Sequence, residues 1–233
     1  MPRKKYYKYA HFYLTLGLVI VLLGFSTTYF SRLGEFTIPY HIHGISATLW
    51  MILLIIQPYL FQKGKLKAHR YLGWSSLLLI PTIVICGIIM MRMMIQGQEN
   101  YPPNLVYQLA FIDACTLVSF ALLYALGLIY RKKLKLHSKF MVATIFGPLL
   151  PALARMFLFT FGIASNFNQA LTYSYLALEI SLLLIIWKER GEKEIRLTYI
   201  PFLIFILIQH GLMYYSDEWA WWKVLMDNFA NYG

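Results

Sequence analysis

The sequence predicts an all-α integral membrane protein, a bundle of seven transmembrane helices with the N-terminus in the cytoplasm and the C-terminus outside. Three observations carry this expectation. Apolar residues make up 59% of the 233 residues and charged residues only 13%, about half the charged share of a soluble domain. The apolar residues gather into runs close to the roughly 20 residues that cross a hydrocarbon core, and the mean hydropathy is +0.58. Of the 21 Lys and Arg residues, 17 fall in four short segments that alternate with those runs.

The elements follow in chain order. A basic tail (Arg3, Lys4, Lys5, Lys8) precedes span one, about 12–30, and no small-residue cleavage site follows it, so this span is expected to stay in the mature chain. Gly34-Glu35 leads to span two, about 42–61, where Pro39 suits the first turn of a helix. The loop bearing Lys63, Lys65, Lys67 and Arg70 leads to span three, about 72–92, and Gln96 to Tyr101 leads to span four, about 105–130. Arg131, Lys132, Lys133, Lys135 and Lys139 precede span five, about 140–163. Asn166 to Gln169 precedes span six, about 170–187, and Lys188, Arg190, Lys193 and Arg196 precede span seven, about 197–215. With span one running outward, all four basic segments face the cytoplasm, the positive-inside pattern of a multi-pass protein of the cell inner (plasma) membrane. Trp74 and Trp187 then mark the inner boundary, and Trp219, Trp221 and Trp222 the outer one. The tail over 217–230 mixes charged and aromatic residues and predicts an outer interfacial helix.

The net charge of +11 is therefore read as a determinant of orientation. The expected partner is the lipid bilayer and not nucleic acid. Cys86 and Cys115 both fall within spans and imply no disulfide framework. Every loop is short, so a site must be built within the bundle or at its rims. Prolines 58, 81, 148, 151 and 201 lie in or near spans, where they kink helices and open cavities. A short repeat is visible: Lys65-Leu66-Lys67-Ala68-His69 returns as Lys133-Leu134-Lys135-Leu136-His137.

Ionisable side chains inside spans cost a few kcal/mol, which makes each a candidate site. Asp113 lies roughly 13 Å deep from Asn104 at the helical rise, and Glu179 lies at a similar depth. His41, His43, His210 and Arg155 share the same outer half of the membrane. Asp113, Arg155 and Glu179 then form a buried polar layer, either a structural ion-pair network or, with the imidazoles, a metal, haem or proton-handling site. His41 and His43 are two apart and point about 200° from each other on a helix, so they cannot both hold one metal there. At the inner side, His69 and His137 open two different spans at equal depth, as the two axial ligands of one haem iron would, or as residues facing lipid phosphates.

Three motifs carry a resemblance: His43-Gly44 at the start of span two, Lys67-Ala68-His69-Arg70-Tyr71-Leu72-Gly73 before span three, and Leu136-His137-Ser138-Lys139-Phe140-Met141 before span five. Over roughly residues 41–155 the chain resembles an uncharacterised family of bacterial multi-span proteins, similar in layout to cytochrome b561. The resemblance implies haem b, with spans three and five sharing an inner haem on His69 and His137. Spans two and four would share an outer one, with His43 or His41 on span two. Span four has no histidine between Asn104 and Tyr130, so the outer group is absent, is held by His210, or is replaced by another metal site such as zinc or copper.

The leading function is a membrane redox protein that passes electrons by b-type haem, with a quinone or a redox partner protein as the other reactant. A proton-coupled transporter or channel would use Asp113, Arg155 and Glu179 as its relay. A zinc-type membrane hydrolase would use His41, His43 and His210 as ligands, and a structural subunit of a membrane complex would use none of these for chemistry. No catalytic residue is assigned, and whether the protein is an enzyme stays open. Residues 197–215 contain no lysine for a retinal, and no Walker loop, dinucleotide fingerprint, Cys-x-x-Cys-His element or Gly-x-Ser-x-Gly elbow occurs.

Overall fold

The computed structural model describes residues 9–231; the basic tail Arg3, Lys4, Lys5 and Lys8 lies outside them. Among the described residues the chain is helical throughout, with no strand. Its α-helices are α1 (Ala10–Gly24), α2 (Ile38–Gln62), α3 (Leu66–Gln96), α4 (Leu105–Ile129), α5 (Leu134–Ala143), α6 (Phe146–Arg155), α7 (Phe167–Lys188), α8 (Tyr199–Met213) and α9 (Ala220–Asn231).

Among the described residues six helical segments are long and apolar enough to cross a membrane: Ile38–Gln62, Leu66–Gln96, Leu105–Ile129, Leu134–Thr160, Phe167–Lys188 and Lys193–Met213. α1 is apolar but shorter, at 15 residues. The sequence placed span one over 12–30; helix α1 ends at Gly24, and the chain continues through turns into a 3₁₀ helix at Phe30–Glu35. Large apolar side chains such as Leu78 (75% exposed) and Trp187 (66% exposed) face outward, as a lipid-facing surface allows and water does not favour.

Local chemistry explains the helix shapes. α2 begins with Pro39 in its first turn, where the missing N–H is not needed. Pro58 and Pro81 lie inside α2 and α3 without ending them. The segment read as one span over 140–163 is broken: α5 ends at Ala143, α6 starts at Phe146, and a π-helical turn follows at Met156–Thr160. Pro148 cannot donate to the carbonyl of Thr144, and Pro151 sits within α6. The Thr144 hydroxyl covers part of the break, donating to the Met141 carbonyl at 2.7 Å and accepting from Trp50 Nε1 at 3.1 Å.

The helices close into a ring in the order α1, α2, α3, α4, α8, α7, α6 and back to α1, while α5 packs on α4 and α9 rests on α3 and α4. At its centre, Trp50 stands edge-on to Tyr124 (5.7 Å) and Phe120 (6.2 Å), and the Tyr124 hydroxyl pairs with Ser76 at 2.7 Å. α1 meets α6 closely: a Cβ on Gly24 would come within 2.2 Å of the Ala152 carbonyl oxygen. Small residues at such crossings let backbones approach where lipid offers no hydrophobic drive.

The two ends of the ring differ in chemistry. At the basic end, Lys139 pairs with Glu189, Lys135 with Glu192, and Lys188 lies over the Tyr13 ring. At the opposite end, α9 is held by polar bonds: Arg92 and Gln96 donate to the Ala230 carbonyl (3.1 and 2.8 Å), Tyr107 donates to Asp227 (2.8 Å), and Lys223 to Asn104 (3.0 Å).

Candidate functional site

At the basic end His69 opens α3 and His137 opens α5. Each turns Nδ1 toward a backbone carbonyl of the preceding helix: His137 to Gly127 at 2.8 Å, His69 to Gln57 at a longer 3.4 Å. A carbonyl oxygen can only accept, so Nδ1 carries the proton in both rings, and a neutral ring then has its lone pair on Nε2. The two rings are close enough to act on one another electrostatically. Gln57 returns the contact by donating Nε2 to the His69 carbonyl at 3.1 Å, while its Oε1 is buried without a partner. The repeated Lys-Leu-Lys-x-His segments thus perform the same local task, each histidine pinning its helix to the one before.

The donor type, two imidazoles with Nε2 turned from their carbonyl partners, is one that would hold a haem iron. Haem proteins use imidazole nitrogens from facing elements, and a metal-bound imidazole commonly gives its second N–H to a carbonyl, which fixes tautomer and orientation. His69 and His137 meet the second condition, each with Nδ1 on a backbone carbonyl.

His43 follows the same rule on α2, donating Nδ1 to the Ile83 carbonyl of α3 at 3.1 Å. His41 does not. Its Nε2 meets the Phe36 carbonyl at 3.2 Å and its Nδ1 accepts from the Tyr29 hydroxyl at 2.7 Å, so both nitrogens are engaged. The two histidines face different parts of the chain, His43 toward α3 and His41 toward Tyr29 and Phe36 at the ends of the 3₁₀ helix, as a separation of about 200° requires. Among the described residues no three His, Cys, Asp or Glu side chains converge as a metal cage, so His41, His43 and His210 are not gathered around one point.

The polar layer is assembled in pairs. Glu179 on α7 meets His210 on α8, with 2.7 Å between Oε1 and Nδ1. Asp113 on α4 and Arg155 on α6 act on one another electrostatically, together with Tyr40 and Tyr101, but form no ion pair. Arg155 instead donates to the Pro151 carbonyl at 3.1 Å, and its guanidinium lies 4.7 Å from the centre of the Phe25 ring. Asp113 and Arg155 both keep part of their surface accessible although their helices belong to the closed ring.

Sequence reasoning missed the tyrosines that join this layer. Tyr175 stacks on His210 at 4.8 Å and 8°, and the Tyr214 hydroxyl lies 3.4 Å from His210 Nε2 and 2.5 Å from Thr172 Oγ1. The signal was present as spacing, since Tyr175 precedes Glu179 by four residues and Tyr214 follows His210 by four, the separation that puts helix side chains side by side. Comparison with family models, with curated proteins and with solved structures returned no match, so the likeness to cytochrome b561 rests on its three motifs.

Proposed function

We propose that this chain is a b-type haem protein of the plasma membrane that passes electrons within or across the bilayer, and that His69 and His137 would hold the haem iron. The observation that carries the reading is the matched pair of imidazoles. They come from two helices at one end of the ring, each with Nδ1 committed to a carbonyl and Nε2 left to bind. When bound, the haem supplies one-electron chemistry by cycling its iron between ferric and ferrous. The chain's own residues orient: the Gln57 and Gly127 carbonyls set each ring, and Phe61 closes one side of His69 at 6.4 Å. A quinone or a redox protein is the exchange partner in this reading.

The same proposal places α1 as a seventh span. Lys188 over Tyr13 sets the start of α1 at the basic end, and hydrogen bonds from Tyr29 and Phe30 to the Phe25 carbonyl (2.9 and 3.1 Å) carry its path onward past Gly24. The basic end then faces the cytoplasm and α9 lies on the outer surface. The experiment is haem extraction from protein purified from haem-replete cells. One haem per chain is expected in the wild type and in His41→Ala, and none in His69→Ala or His137→Ala. Wild-type protein without haem, or equal haem in all variants, contradicts the reading.

A further inference from the structure

The Glu179–His210 pair is not used by the haem reading, and its surroundings lead from the interior of the ring to the surface. We propose that Glu179, His210 and Tyr214 form a proton port that connects the bundle interior with water at the α9 end. Glu179 and His210 are nearly enclosed, their side chains only 8% and 13% exposed, whereas Tyr214 is 43% exposed. Tyr214 and Thr172 line an open cleft of about 510 Å³, together with Gln108, Asn168, Tyr173 and Asp217. From Thr172 to Glu179 is seven residues of α7, so the port reaches about 10 Å inward along the helix.

The hydrogen bonds give the path a direction. Thr172 donates to the Asn168 carbonyl at 2.7 Å, so toward Tyr214 it accepts, and the Tyr214 oxygen is left to accept from His210 Nε2–H. In one transfer the carboxyl proton of Glu179 moves to His210 Nδ1, the Nε2 proton moves to the Tyr214 oxygen, and the Tyr214 hydroxyl, swinging its own proton away from Thr172, releases it to water in the cleft. The transfer releases one proton to water and leaves Glu179 as the carboxylate, His210 with its proton on Nδ1 and Tyr214 neutral, and no group is oxidised or reduced. The reverse sequence reprotonates Glu179. The 3.4 Å step between His210 and Tyr214 is long for a hydrogen bond, which makes it the slow transfer.

The groups around the pair are consistent with a port. Tyr175 on α7 covers the imidazole face, and Asp113 and Cys115 on α4 act on Tyr175 electrostatically. Arg155 on α6 acts in turn on Asp113. Among the described residues Glu179 pairs with His210 and with no Lys or Arg.

The test is time-resolved infrared spectroscopy of the full chain in vesicles of one orientation, with the pH stepped on one side at a time. The carboxyl band absent in Glu179→Gln identifies the group. The port predicts that this band follows the pH on the α9 side. It predicts exchange about 100-fold slower in Tyr214→Phe, the low end of what a positioned proton-transfer group contributes, and a comparable loss in His210→Gln. A band that follows the pH of the basic side overturns the proposal. So does an unchanged rate in Tyr214→Phe, or a Glu179 that shows no protonated band at any pH. None of these outcomes depends on haem content.

Discussion

At the scale of single residues, the histidines divide by what their nitrogens face. Carbonyl partners fix Nδ1 as the donor in His43, His69 and His137, while Tyr29 and Phe36 occupy both nitrogens of His41. Sequence gave residue type and depth for each, but a hydrogen-bond partner on another helix has no local signature. Gln57 and Gly127, the acceptors, look like ordinary span residues. The same holds for Glu179: α7 packs between α6 and α8, and its carboxylate meets His210 of α8, not Arg155 of α6. Two predictions belong here. Lys139 is 2% exposed and pairs with Glu189, itself 31% exposed. Glu189→Gln strands a buried ammonium and is expected to destabilise by about 2–3 kcal/mol, below the range for a fully buried pair because Glu189 is partly solvated. Thermal unfolding in detergent measures it, and the double variant Lys139→Met/Glu189→Gln should recover much of the loss. A single variant as stable as wild type contradicts the pairing.

Glu192 provides the pH dependence. Its hydrogen bond from Lys135 holds its carboxyl below the ordinary glutamate value of 4.5, with the charges of Lys135 and Lys139 adding to the effect against a smaller desolvation. A depressed folded-state value means stability that is present above the unfolded value and lost as pH falls through the folded one. The difference in stability between wild type and Lys135→Met should therefore be full near neutrality and vanish as the pH drops well below 4.5. Both side chains are about 30% exposed, so the difference stays under about 1 kcal/mol. Unfolding midpoints across pH 3 to 7 check it (about that window, by linkage); a difference that grows toward acid contradicts the assignment.

At the scale of elements, hydropathy located the apolar runs because burial in lipid acts on composition, and composition is local. It did not locate the break between α5 and α6, since a proline can be absorbed, as Pro58 and Pro81 are, or can interrupt, as near Pro148. At the break Thr144 and Ile145 tighten to i→i−3 bonds, and Trp50 of α2 donates to the Thr144 hydroxyl there, a partner that local sequence does not reveal. The α1–α6 crossing is equally invisible in sequence, because a glycine at a helix end is common. With the Ala152 carbonyl 2.2 Å from a Cβ on Gly24, the obstacle is backbone and cannot swing aside. Gly24→Val is expected to push α1 away and cost about 1–3 kcal/mol, typical of overpacking. Gly34→Val, where nothing lies within 4 Å, is the control, and equal melting temperatures of the two variants would show that the crossing is loose.

At the scale of the whole molecule, the ring places chemically distinct sites at its two ends. The basic end collects Lys135, Lys139, Glu189 and Glu192 with the imidazoles of His69 and His137; the other end carries α9, the cleft and the acid–imidazole pair. Charge periodicity made the two ends legible in sequence, because basic loops recur once every two spans. Ring order was not legible, since seven apolar helices offer many packings of similar hydropathy. If both proposals hold, an electron site at one end and a proton port at the other would let redox change and proton exchange act on one bundle.

Haem binding by His69 and His137 is tested most directly by the visible spectrum of the detergent-purified protein, recorded oxidised and then reduced with dithionite. It predicts a sharp α-band on reduction that disappears in His69→Ala and in His137→Ala and survives His41→Ala. A colourless protein from haem-replete cells, or an α-band untouched by both inner substitutions, would contradict it.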